Sequence, residues 1–162
     1  PDQVMAVPEN ALCVTMTEML NVEGVVLEPA GALALTALSR LPAEKVRGRK
    51  IVVLVSGGNF DFDRLPDVKE RAMRYSGLKK YLVLRLPQRP GALKDFLGLL
   101  GPDDDIARFE YLKKSARNFG SILIGIETSR PENFHVLFEN LANNGLKYQD
   151  ITENEILANL II

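Results

Sequence analysis

The sequence has one cysteine, Cys13, and one histidine, His135. A single thiol excludes an intrachain disulfide and a thiolate metal cluster, and it fits a reducing cytoplasm. A single imidazole removes the two-histidine metal sets. Long apolar runs are missing too. The longest, such as residues 51–55, are far too short to span a bilayer, so no membrane partner is expected. No basic segment opens the chain as a signal peptide would, since it starts Pro1-Asp2. It also starts without methionine, which points to a piece of a longer protein. Charge of one sign is lacking: 20 Lys and Arg face 21 Asp and Glu, for a formal net charge of -1. With no block of like charge to neutralise phosphates, nucleic acid is a poor partner. What is present is ordinary for one or two globular domains: 162 residues, 46% hydrophobic and 25% charged.

In the first half, residues 9–20 place Leu12, Met16, Met19 and Leu20 on one helical face, and the segment ending in Gly24 reads as the stop. Residues 25–35 are small and apolar on every side, as in a helix packed deep among neighbours, and Leu41-Pro42 ends it. After the basic turn Arg47-Gly48-Arg49-Lys50, the β-branched run 51–55 lacks alternation and fits a parallel strand covered on both faces. It leads into Ser56-Gly57-Gly58-Asn59. Such a strand needs neighbours, and only the short 4–7 stretch offers one, so this half reads as incomplete. Residues 61–75 are polar and helix-compatible and read as an exit and linker. The boundary is expected at Ser76-Gly77, giving domains 1–76 and 77–162.

The second half reads as a complete small domain. Residues 81–86 form a strand, Pro87-Gln88-Arg89-Pro90-Gly91 turns into a helix bearing Leu93, Phe96, Leu97 and Leu100, and Gly101-Pro102 stops it. Strands follow at 106–113 and 121–127 with a polar hairpin between them. In the first of these, Ile106, Arg108 and Glu110 alternate against Ala107, Phe109 and Tyr111. Residues 129–132 have capping-box spacing before a helix with Phe134, Leu137, Phe138 and Leu141 inward, closed by Asn144-Gly145. A last strand spans 146–151. From Thr152 a capped helix is expected, with Leu157, Leu160, Ile161 and Ile162 docking somewhere. The order is β-α-β-β-α-β, a sheet covered by helices on one face.

Two signatures coincide on this frame. Leu86-Pro87-Gln88-Arg89-Pro90-Gly91-Ala92-Leu93, at the first strand-to-helix loop of a βαββαβ ferredoxin-like domain, resembles the ACT and ACT-like regulatory domains of amino-acid biosynthesis. Upstream, Glu28-Pro29-Ala30-Gly31-Ala32 and the stretch from Ser56 to Leu65 resemble the end of the catalytic domain of pyridoxal-phosphate enzymes of the tryptophan-synthase-like fold. Biosynthetic threonine deaminases join the two in this order. The resemblance implies an α/β chain: a partial catalytic domain followed by one ACT-like regulatory domain. It also implies threonine as substrate of the intact enzyme, isoleucine and valine as effectors, and a homo-oligomer. The family's Schiff-base lysine and glycine-rich phosphate loop have no counterpart here, since Lys45 and Lys50 sit in a polar turn. No catalytic residue is therefore expected in this chain.

Each candidate site residue has a plainer alternative. Ser56 follows a buried strand and precedes glycines that let backbone approach a ligand. By resemblance its hydroxyl meets the cofactor's pyridine nitrogen and Gly57 belongs to the same cofactor-binding loop; otherwise both build an ordinary loop. Asn59 either orients the phenolic oxygen or builds the turn. Glu28 stands either beside the cofactor or at the start of a helix, where a carboxylate is stabilised. Cys13 reads as core, His135 as structural, and Asp103-Asp104-Asp105 as a solvated turn. Around Gly91, Ala92 and Leu93, backbone N–H groups at a helix start attract an effector carboxylate or are simply capped. Leu93, Phe109 and Tyr111 are candidates to hold the effector side chain. Two rivals remain: a non-catalytic amino-acid-sensing or assembly module, and a serine dehydratase-like enzyme.

Overall fold

The computed structural model describes residues 4–112 and 119–154. The chain divides into two compact units, with the boundary between Tyr75 and Ser76.

The first unit is helical. Helix α1 (Glu9–Glu18) buries Ala11, Leu12, Cys13 and Met16. It widens into a π-helical turn, Met19–Glu23, that Gly24 ends in a left-handed conformation at φ 66°. Helix α2 (Pro29–Ser39) starts with proline in its first turn, where no N–H is needed. Helix α3 (Ala43–Val46) is one turn long, and α4 (Leu65–Tyr75) closes the unit. Leu12, Met16, Leu27 and Ala32 form the core, with Val7, Phe60 and Val68 packed against it. Thr15 and Thr36 share a 2.7 Å hydrogen bond, and Arg71 of α4 donates to both Glu9 and Asn10 at 2.8 Å.

Three expectations for this unit are corrected. Residues 51–55 form no strand: Val52 is 97% and Leu54 82% exposed. A covered parallel strand exists only through ladder partners, and among the described residues of this unit there is none; residues 4–7 are not a strand either. The segment 25–35 is not a deeply packed helix throughout. Helix α2 begins only at Pro29 and buries Gly31, Ala32 and Thr36 while Leu33 stays exposed, because α1 covers one side of it. Residues 61–75 are not a linker: Val68 and the Arg71 pairings fix α4 within the unit.

The second unit is the α/β part. Strands β1 (Lys79–Pro87), β2 (Asp105–Leu112), β3 (Phe119–Glu127) and β4 (Lys147–Asp150) form one sheet in the order β2-β3-β1-β4, with every pair antiparallel. Helices α5 (Ala92–Leu97) and α6 (Asn133–Asn143) cover one face. Period-two alternation puts Leu82, Leu84 and Leu86 of β1 beside Ile122, Ile124 and Ile126 of β3. Phe96, Phe134, Leu137 and Leu141 close over them. The other face carries a smaller cluster of Tyr81, Val83, Leu123 and Ile151.

Here the differences from expectation are local. Helix α5 ends at Gly98, ahead of Gly101-Pro102. The capping box at 129–132 does not form; instead the Asn133 amide donates to the Thr128 hydroxyl at 2.7 Å. In β2 a bulge lies between Ile106 and Arg108. One extra residue reverses the faces beyond it, so Phe109 and Tyr111 stand opposite Ile124 and Ile122 and share the helix-covered face with Ile106. The expected helix beyond Asn154 and most of the β2–β3 hairpin turn lie outside the described residues.

Candidate functional site

The second unit has a cleft of about 550 Å³ where the β1–α5 loop meets the edge of the sheet. Its lining is apolar at Leu86, Leu93 and Leu97 and polar at Gln88, Arg89 and Lys94. Gly91, Ala92 and Tyr111 complete the wall, so Gly91, Ala92, Leu93 and Tyr111 converge on one cavity. Phe109, two residues before Tyr111 on the same face, is half exposed and does not line it.

The loop is built by proline and glycine. Arg89 N–H donates to the Pro87 carbonyl at 3.0 Å, and Ala92 N–H to the Arg89 carbonyl at 3.3 Å. Gly91 sits at φ 84°, a conformation that costs a side-chain-bearing residue steric strain. The first helical bond of α5 runs from Asp95 N–H to the Gly91 carbonyl at 2.9 Å. Ala92 N–H is thus already used within the turn, and the charged side chains of the lining add their own attraction for an anion. Two cations line the cleft, Arg89 and Lys94; the Arg89 guanidinium donates to Asp95 Oδ2 at 2.7 Å and to the Pro90 carbonyl at 3.3 Å. The Tyr111 ring packs against Gly120, where a Cβ would come within 2.7 Å of the ring. Glycine there and the bulge in β2 together set where the phenol stands.

Sequence reasoning did not nominate Arg89, Gln88 or Lys94. The signal available was a cation two residues before a turn glycine, which reads equally as a solvated loop charge.

In the first unit, three of the four other candidates come together. The Glu28 side chain occupies the space that a Cβ on Gly57 would take, and Glu28 N–H donates to the Gly57 carbonyl at 3.4 Å. A Cβ on Gly31 would overlap the Ser56 carbonyl oxygen, so the loop rests directly on the first turn of α2. Gly57 itself has φ 86°. Glu28 holds the N-cap position of α2, yet its side chain makes no capping hydrogen bond. Ser56 is exposed, and Asn59 lies exposed further along the same loop.

The remaining chemically notable groups are ordinary. Burial pushes the Cys13 thiol up, away from the reactive thiolate. His135 is exposed on α6. Asp104 accepts from Gly101 N–H at 2.7 Å, an internal turn contact. Among the described residues no group of three His, Cys, Asp or Glu side chains is placed to hold a metal ion, and no helix is long and apolar enough to cross a membrane.

Residues 70–161 match the family described as the C-terminal regulatory domain of threonine dehydratase. The chain is 43% identical over 162 residues to the L-threonine dehydratase biosynthetic IlvA of Halalkalibacterium halodurans, covering 99% of this chain and 39% of the relative. It is 40% identical to the proteins of the same name from Bacillus subtilis and Staphylococcus saprophyticus, covering 99% of this chain and 38% of each. The chain thus spans about two-fifths of the length of these curated relatives. Both the βαββαβ unit, with its cleft at the first strand-to-helix loop, and the matched residues lead to one conclusion: the chain belongs to the threonine dehydratase family and carries that family's C-terminal regulatory domain.

Proposed function

We propose that residues 76–162 bind amino-acid effectors for a biosynthetic, cytoplasmic threonine ammonia-lyase, which converts threonine to 2-oxobutanoate and ammonia for isoleucine synthesis. The observation that carries this reading is the cleft lined by Gly91, Ala92, Leu93 and Tyr111 inside the regulatory-domain match. Its mixed polar and apolar lining suits a small amphiphilic ligand such as isoleucine or valine. These two differ by one methylene, worth about 0.8 kcal/mol if buried, or roughly fourfold in affinity. Affinity alone is too blunt to give opposite responses. Isoleucine as inhibitor and valine as its antagonist must therefore favour different conformations or pairings of the module in a homo-oligomer.

Residues 1–75 are read as the closing stretch of the catalytic domain, which binds pyridoxal phosphate. The Ser56 loop is compatible with that group: Gly31 and Gly57 let it rest on α2 with Glu28 wedged behind it, leaving an exposed serine beside backbone that a ligand can approach. The cofactor supplies an electron sink for removal of the threonine hydroxyl. Ser56 would offer a neutral hydroxyl to the pyridine nitrogen, Glu28 and Gly57 would fix the loop, and Asn59 would orient the phenolic side. A neutral partner does not hold a proton on that nitrogen as a carboxylate would. The Schiff-base lysine is assigned to the part of the protein upstream of this chain.

Two assays test the reading. Threonine turnover by the intact protein should fall with isoleucine and recover with valine. The 162-residue chain alone, given pyridoxal phosphate and threonine, should release no 2-oxobutanoate. An intact protein indifferent to both amino acids removes the effector assignment, and clear turnover by the chain alone removes the division of labour.

A further inference from the structure

Arg89 and Lys94 both line the cleft, and of the two only Arg89 has the planar fork that matches a carboxylate, yet it is already engaged by Asp95. The pair is held at 2.7 Å with both side chains more than half exposed, 57% and 60%. Arg89 lines the cleft and Asp95 does not. An exposed pair of this kind contributes little to stability, so it can be exchanged at small cost. A ligand carboxylate entering the cleft offers the same fork-shaped acceptor as Asp95, on the side where Gly91 has no side chain to obstruct it: a Cβ there would stand 3.8 Å from Arg89 Nη1.

We propose that Arg89 is the carboxylate receptor of this cleft and that Asp95 is its built-in competitor. A free amino acid binds by taking the guanidinium from Asp95, with its apolar side chain over Leu93 and Leu97 and against Tyr111. This rests on the effector reading above and goes beyond it in naming the anchoring charge and the contact that must break. The exchange sets an affinity ceiling. Removing the competitor should tighten binding, whereas removing a group that held the ligand would loosen it.

The test is calorimetric titration of the full chain with L-isoleucine, in parallel with 2-methylbutylamine, which keeps the side chain and the ammonium but lacks the carboxylate. Arg89→Gln should weaken isoleucine binding by about tenfold or more, the scale of a lost charge-assisted contact. Asp95→Asn should strengthen it by about two- to fivefold, the most an exposed pair can withhold. The amine should not bind measurably. Both substitutions are at exposed positions, and unchanged thermal melting identifies variants that remain folded. If the wild-type chain binds isoleucine but Arg89→Gln binds equally well, or if Asp95→Asn weakens binding, the exchange is wrong while the effector reading stands. If the folded wild-type chain binds neither isoleucine nor valine, the effector reading fails and the exchange with it.

Discussion

Two apolar runs of nearly the same character meet opposite fates in this chain. Residues 82–85 of β1 are paired on both edges and Leu86 on one, and Leu82, Leu84 and Leu86 are sealed under α5 and α6. Residues 51–55, richer in β-branched side chains, are unpaired, with Val52 and Leu54 facing outward. Composition does not separate them. What differs is that the second unit encodes its own ladder partners and covering helices, whereas the described residues of the first supply helices and no strand. A strand is a property of its neighbours as much as of its sequence.

The largest effects that would break this comparison are in the core. Leu84→Ala, at a fully buried position, should cost about 2–5 kcal/mol, and Val52→Ala should fall within about 0.5 kcal/mol of wild type in denaturant titration of the same chain. Equal costs would mean that the 51–55 run is covered after all. Next comes Gly31→Ala, whose Cβ meets the Ser56 carbonyl; about 1–3 kcal/mol of overpacking should appear as faster amide exchange across α2. Exchange no faster than wild type would remove the loop-on-helix contact. Gly91→Val should cost about 1–2 kcal/mol of strain at φ 84°. In the intact protein it should abolish the responses to isoleucine and valine with basal turnover largely retained, and unchanged effector titrations would move the site elsewhere.

The smallest effect concerns acid. Burial pushes the Asp150 carboxyl up. Hydrogen bonds from Lys80, from the Thr152 hydroxyl and from Thr152 N–H more than offset this, so the net shift is downward. Its contribution is therefore fully present above the unfolded carboxylate value of about 3.9 and is lost as pH falls through the lower folded value. Asp150→Asn should flatten the acid limb of the stability profile of the second unit. For a side chain still one-third exposed, the loss near neutral pH should be under about 1 kcal/mol.

The parts legible in the sequence were those with local causes. Leucines at every second position of β1, Pro90-Gly91 ahead of α5 and Asn144-Gly145 after α6 each declare themselves within a few residues. The β2 bulge did not, because strict alternation carries no mark of the one residue that will be left unpaired, and that residue decides which face Tyr111 takes. The fate of 51–55 was illegible for a different reason, since a run of five apolar residues does not show whether a ladder partner will form beside it, and among the described residues none does. Gly91, Ala92 and Leu93 were singled out from the turn, but Arg89 beside them was not. Its pairing with Asp95 and its place in the cleft lining depend on how the turn folds back onto α5.

Hydrogen exchange of the full chain with and without L-isoleucine tests the central claim most directly, because it reads both units at once. The account predicts slow amides in β1 and β3, added protection across 86–97 and at Tyr111 when isoleucine is present, and rapid exchange at 51–55 in either condition. Protection at 51–55 equal to that of β1, or no change around Gly91 at saturating isoleucine, would contradict it.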